Sequence, residues 1–282
     1  MNGGATTAVV TDSTADFAGI RPEDHSITVV PLTVNWGGEV LRDKIDVTTE
    51  EFYDRLRTDR NLPKTAAPPI GIFEDLYRGL LTQYDAVVSI HIASKLSATY
   101  SVAQTAARSL AADRIHVIDS ETVSVGVGWM ADEAATLAAS GASCNKILET
   151  VRGMIPRTRL LLTLETLEFL SRGGRIGRAR AFVGGILNVK PILEIRGGEI
   201  HPVERVRTRA ASIRRVAQLV HELGAKERIA VVHGACLSEG EALRETISEL
   251  EDAKDLPLAE IGSVLGTHAG PGVIGIGCVL AR

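Results

Sequence analysis

The sequence predicts an α/β protein of two domains, an N-terminal parallel sheet with helices on both faces and a C-terminal mixed-sheet α/β domain. Three observations carry this. The first half alternates short apolar runs with helical patterns, the order that builds a parallel sheet covered on both sides. After about Arg157 the rhythm changes to strand, hairpin and helix. A chain of 282 residues, 45% hydrophobic and 23% charged, is long and apolar enough for two ordinary cores.

Taken in order, Ala8-Val9-Val10 is the first strand, ending at Thr11-Asp12-Ser13-Thr14, and Ile27 to Val34 is a β-branched second. Helices are expected over Phe73 to Leu81, Ser101 to Ala112 and Trp129 to Ala139, with strands at Ala86 to Ile90 and Ile115 to Ile118. Past a boundary near residue 158, which divides the chain into 1–158 and 159–282, Leu160 to Leu164 reads as a strand. Leu167 to Arg180 carries a break at Gly173-Gly174, and Pro191 to Val203 is a hairpin turned at Gly197-Gly198. Ile213, Val216, Leu219, Val220 and Leu223 form one helical face. Strands at Ile229 to Val232 and Gly275 to Leu280 flank a helix around Leu243 to Leu250.

Composition narrows the function classes. No uninterrupted apolar run reaches the roughly 18 residues of a membrane span, and Met1 to Thr7 lacks a basic-then-apolar leader pattern, so the cytoplasm is expected. Cys144, Cys236 and Cys278 are far apart and odd in number, and read as buried thiols. The seven histidines show no metal-ligand spacing. Phosphate-loop, nucleophile-elbow and zinc-protease motifs are absent.

The net charge of −4 hides an asymmetry. Between Arg172 and Arg215 eleven Lys and Arg face three acids, so that stretch is +8 and the remainder −12. A basic patch on an acidic protein suits an anionic partner better than nucleic acid. A solvated charged face fits the same residues.

Three segments are candidates for binding. In Ser94-Lys95-Leu96-Ser97-Ala98-Thr99-Tyr100, hydroxyls precede a helix whose free N–H groups attract a carboxylate or phosphate. Capping of that helix by Ser97 is the other reading. Thr65 stands on an extended loop stiffened by Pro68-Pro69, which aims a hydroxyl or merely punctuates the chain before the next helix. His268 lies in the glycine-rich turn Gly266 to Gly272, able to donate to a carboxylate or orient a hydroxyl, or else plain surface. Polar residues after the strands, Asp12 and Ser13 among them, fall where parallel sheets bind ligands, though each alone also caps a helix.

In their shared order these segments resemble the DegV family along almost the whole chain. The matching pieces are Val10 to Asp16, Val30-Pro31-Leu32, Ser94 to Tyr100, Leu164 to Leu170 running into Gly173-Gly174-Arg175-Ile176, Leu187 to Leu193, Val206 to Arg209 and Thr267 to Gly272. The resemblance implies a fatty-acid carrier and not an enzyme. One long-chain fatty acid would lie between the two domains as the sole ligand, with no other cofactor and no metal. Its carboxylate would be presented to a fatty acid kinase subunit that forms the acyl phosphate. By motif match the carboxylate would be held by Thr65, Ser97, the backbone of Ala98 and His268, with Asp12 and Ser13 in a secondary loop. Leu167, Phe169, Phe182 and Ile186 would line the tail, and Arg205 and Arg207 would meet the kinase. No nucleic acid and at most transient membrane contact are expected. Two departures from the family pattern stand out: Thr65-Ala66-Ala67-Pro68-Pro69 replaces Thr-Ser-Gln-Pro-Ser, and Ala98 replaces a glycine. Both remove donors or reshape the head-group surroundings. The alternatives are an enzyme using His268 as base and Ser97 as nucleophile, or a lipid-sensing regulatory protein.

Overall fold

The computed structural model describes residues 6–59, 61–182 and 189–282. Ile186 lies outside the described residues. Strands β1 (Thr7–Asp12), β2 (Ile27–Val30), β3 (Thr33–Trp36) and β4 (Glu39–Arg42) precede helix α1 (Thr49–Thr58). Then come β5 (Lys64–Ala66), α2 (Ile70–Leu80), β6 (Ala86–His91), α3 (Thr99–Leu110), β7 (Ile115–Asp119), α4 (Val125–Ala139) and α5 (Cys144–Met154). The second half runs β8 (Thr158–Thr163), α6 (Glu168–Arg172), β9 (Lys190–Arg196), β10 (Glu199–Val206) and α7 (Arg209–Glu222). It ends with β11 (Lys226–His233), α8 (Leu237–Glu251), β12 (Leu258–Glu260), α9 (Ser263–Ala269) and β13 (Ile274–Leu280).

A parallel sheet of order β2-β1-β6-β7 forms the first layer of strands. Every residue of β1 and β6 is buried, as expected where both faces are covered. The register explains how. Ala8 pairs with Val87 and Val9 with Val88, so period-2 alternation sends Ala8, Val10 and Val87 to Phe73 and Tyr77 of α2 and to Ala103, Ala106 and Ala107 of α3. Val9 and Val88 point the other way, into α4 and α5 through Met130, Ala134, Ile147 and Val151.

The second sheet is mixed, of order β10-β9-β8-β13-β11-β12, with only β11 and β12 parallel. Its outer face packs Leu161, Ile192 and Ile276 on Val216 and Val220 of α7 and Leu243 and Ile247 of α8. Its inner face meets α4, whose first eight residues are all buried. A helix apolar all round belongs between layers. Gly277 of β13 makes this possible, because a Cβ there would overlap Val125 of α4. Layers therefore alternate: α2 and α3, parallel sheet, α4 and α5, mixed sheet, α7 and α8.

Several elements depart from the sequence reading. Ile27 to Val34 is not one strand. It breaks at Pro31-Leu32 into β2 of the parallel sheet and β3 of a separate antiparallel sheet, β4-β3-β5, since proline cannot donate within a ladder. This third sheet and α1 enclose Trp36, Phe52 and Tyr53, and their core takes in Val264 of α9, so residues before 158 pack on residues far beyond it. Helix α3 starts at Thr99, ahead of Ser101. Cys278 is buried, but Cys144 and Cys236 are only partly so. The hairpin at Gly197-Gly198 has φ of 56° and 74°, the left-handed pair that a two-residue type I′ turn requires. Among the described residues no helix is long and apolar enough to cross a membrane, and no cluster of ligating side chains could hold a metal.

Candidate functional site

Beyond the carboxyl ends of β2, β6 and β7 lies a cavity whose atom-free space, mouth included, is about 960 Å³. In parallel sheets that position, near the reversal of strand order, is where ligands bind. The register of the mixed sheet dictates the cavity's floor. Leu160 pairs with Ile195, Leu162 with Leu193, and Ile195 with Ile200, so all five side chains share the inner face and line the cavity. Ile92 and Val123 extend the wall from the ends of β6 and β7, Ile261 from the connection ahead of α9, and Val264 and Leu265 from α9 itself. The wall is aliphatic, without an aromatic side chain among the described residues.

Five polar side chains interrupt it: Thr65, Ser97, Ser124, Arg175 and His268. Thr65 lies on β5, not on a free loop, and is aligned opposite Val34 of β3. His268 lies in the last turn of α9, not in a glycine turn. The two come together across the molecule: Thr65 Oγ1 and His268 Nε2 are 2.8 Å apart. His268 Nδ1 is buried without a partner, and a Cβ at Gly173 would overlap it, so only glycine lets α6 close on the ring. Burial, with Arg175 nearby, pushes the imidazole down to about 4, which leaves it neutral near pH 7.

Ser97 Oγ accepts the Thr99 N–H at 3.3 Å and bonds Thr99 Oγ1 at 2.9 Å. It therefore braces the start of α3 in a local turn and lines the cavity at once, beside Ala98, the N-cap residue. Arg175 escaped the sequence reading. Its Nε donates to Leu96 O at 3.2 Å and its Nη1 to Gly173 O at 2.8 Å, which plants a cation on the cavity wall next to Ser97. Its sequence signal is a basic residue directly after the Gly173-Gly174 break, within one of the family-matching pieces.

The remaining predicted residues among those described stand apart from the cavity wall. Asp12 is fully buried, and its carboxylate accepts from Thr14 N, Thr14 Oγ1, Ile92 N and His91 Nδ1 at 2.5 to 3.0 Å. Burial pushes its pKa up, but those bonds, led by His91, outweigh it and hold it below the usual value. Ser13 Oγ accepts Leu32 N at 3.1 Å. Both residues brace the loops beneath the site. Leu167 packs against the large core, Phe169 against the core around α1, and Phe182 carries the Arg205 guanidinium 4.4 Å above its ring.

The basic stretch is largely paired. Arg172, Arg178, Lys190, Arg196, Arg209 and Arg215 each contact a glutamate, namely Glu168, Glu199, Glu165, Glu194, Glu239 and Glu204. Arg205 and Arg207 are exposed at the end of β10, an edge strand.

The family model described as "Uncharacterised protein, DegV family" matches residues 6–281. The chain belongs to the DegV family. A DegV domain-containing protein of Caldanaerobacter subterraneus is 37% identical over 275 residues, 95% of this chain and 97% of its own. Among solved structures, a fatty-acid-binding DegV family protein from Thermus thermophilus superposes with a TM-score of 0.89 at 31% identity, covering 98% of this chain and 100% of that one. DegV of Bacillus subtilis, described as a fatty acid binding protein, gives 0.88 at 35% identity, covering 98% and 99%. Both share with this chain the DegV arrangement of a parallel and a mixed sheet in a two-domain α/β fold.

Proposed function

We propose that this chain binds one long-chain fatty acid in the cavity and presents the carboxylate to a fatty acid kinase, without catalysing a reaction itself. The observation that carries the binding is the polarity of the cavity, aliphatic over most of its wall, with Thr65, Ser97, Arg175 and His268 converging at one part of it. Each methylene buried there contributes about 0.8 kcal/mol, so a long tail supplies on the order of 10 kcal/mol before association costs. A buried carboxylate would offset much of that unless bonded to charge or strong donors. Two hydroxyls and a guanidinium meet this need. For Thr65 to donate to the ligand, its oxygen must accept from His268 Nε2–H, because a hydroxyl has one proton to give. The neutral Nε2–H tautomer inferred this way leaves Nδ1 an acceptor, so no donor is orphaned.

The ligand would lie between residues 1–158 and 159–282, taken as two domains, in a protein that works in the cytoplasm. Presentation to a kinase is supported by the exposed pair Arg205 and Arg207 and by what DegV-like motifs imply. An enzyme pairing Ser97 with His268 is disfavoured, because His268 bonds Thr65 and Ser97 bonds Thr99. Native mass spectrometry of the purified protein is the test. One fatty acid per chain is expected. Absence of stoichiometric lipid, together with no uptake of added palmitate or oleate, refutes the reading.

A further inference from the structure

A carboxylate outside the head-group cluster is bonded to the residue ahead of the helix that carries His268. Asp16 is 3% exposed and sits in the connection after β1. Its Oδ1 accepts from Lys44 Nζ and from Gly262 N, both at 3.2 Å, and its Oδ2 accepts Ser124 Oγ at 2.7 Å. The three donors come from three parts of the cavity's shell: the connection between β4 and α1, the residue ahead of α9, and the residue ahead of α4.

Each contact is one that the local chain cannot supply. Ser124 has φ 57° and ψ −133°, a sparsely populated conformation that persists only when its surroundings hold it. Its hydroxyl bond to Asp16 does so. Gly262 precedes α9, where no side chain caps the helix. One turn further along, α9 is already tight, since a Cβ at Gly266 would come within 2.7 Å of Tyr53 Oη and 2.8 Å of Phe52. Tyr53 Oη in turn donates to Ile261 O at 3.1 Å. The helix is thus tied to one carboxylate at its start and seated on aromatic rings one turn further along. It spans seven residues, about 10 Å of stiff backbone, so displacement at Gly262 reaches His268. Hydrogen bonds weaken steeply with distance and angle, so a shift of about 1 Å is enough to lose the Thr65 contact.

We infer that Asp16 is a positioning residue for the carboxylate end of the cavity, holding α9 through Gly262 so that His268 stays within bonding range of Thr65. This rests on the fatty-acid reading above. An asparagine cannot replace it, because the amide offers one acceptor atom where Asp16 uses two.

The test compares palmitate with hexadecanol, which has the same tail and no carboxylate, on the parent protein, Asp16→Asn and Lys44→Met. Asp16→Asn is expected to weaken palmitate about tenfold while hexadecanol changes by less than about twofold. The ring ¹⁵N shifts of His268 should move away from the Nε2–H pattern. Equal losses for both ligands, or no loss with unchanged ring shifts, would overturn the assignment and leave Asp16 a structural brace. If Asp16→Asn does not fold, Lys44→Met decides, since Lys44 is partly exposed and its loss leaves the carboxylate in place but uncompensated. The same carboxylate-selective loss, smaller in size, is then expected, and its absence overturns the inference. A parent that binds neither ligand ends the fatty-acid reading and this inference together. A parent that binds palmitate through Thr65 while Asp16→Asn binds it equally well ends this inference alone.

Discussion

Thr65 Oγ1 and His268 Nε2 lie 2.8 Å apart although 203 residues separate them in the chain. The bond joins the third sheet to α9, so forming it depends on both halves of the protein being folded together. It also sets which way the threonine proton can point.

Removing the two hydroxyls as Thr65→Val with Ser97→Ala is expected to weaken palmitate binding by about 2–4 kcal/mol, since charge-assisted donors are lost in a desolvated setting. Titration calorimetry at neutral pH measures it. Affinity equal to that of the parent would reduce Ser97 to a brace at the start of α3 and Thr65 to a strand residue.

Arg175 supplies the only cation on the described cavity wall. Arg175→Gln should cut palmitate affinity by about 10- to 100-fold while sparing hexadecanol, because a guanidinium discriminates charge and not chain. Fluorescence displacement with both ligands would show this. A matching loss for the alcohol would mean that Arg175 acts only by tying Leu96 to Gly173.

The pH dependence of stability follows from His268. Its folded pKa, about 4, lies below the ordinary value of 6.5. The unfolded chain therefore takes up the proton first as pH falls. The contribution of His268 is fully present above about pH 6.5, is lost progressively below it, and is exhausted near pH 4. His268→Gln should remove this part of the acid sensitivity. Urea midpoints of parent and variant between pH 4 and 7 should draw together as the pH drops, and parallel curves would contradict the depressed pKa.

Replacing Arg205 and Arg207 with Glu should leave palmitate affinity unchanged, because both are exposed, Arg205 on an edge strand and Arg207 just past its end, and neither lines the cavity. Coupling to a fatty acid kinase should fall, first as slower, salt-sensitive association, since exposed charges steer encounters more than they hold complexes. Acyl-phosphate formation with a kinase recovered from the source cells is the measurement. Equal turnover would return the pair to an ordinary solvated surface.

Periodicity disclosed the parallel sheet, because β1 and β6 are continuous apolar runs and α7 keeps one clean face. It could not disclose the third sheet. Strand β5 has three residues and β3 four, too short for alternation to stand out, and their pairing with each other is a tertiary choice. Helix α9 was hidden by its glycines: Gly266 looks like a breaker in sequence but is needed for the approach of Tyr53. Among site residues, motif order led to Thr65, Ser97 and His268. Arg175 became visible only in three dimensions, since its neighbour in the cavity, Ser97, is on another strand connection. The basic stretch is less bare than its sequence charge suggests, as six of its charges meet glutamates, three of them outside that run of sequence.

Strand β13 lies at the middle of the mixed sheet, paired with β8 on one side and β11 on the other, yet follows both in sequence. During synthesis, β8 and β11 must wait with their inward edges unpaired until residues 274–280 emerge. The cavity floor built on β8 cannot be finished before then. A nascent chain that lacks β13 consequently has no completed cavity floor. Until that strand is inserted the open edges are the points at which the chain is most exposed to mispairing with other chains.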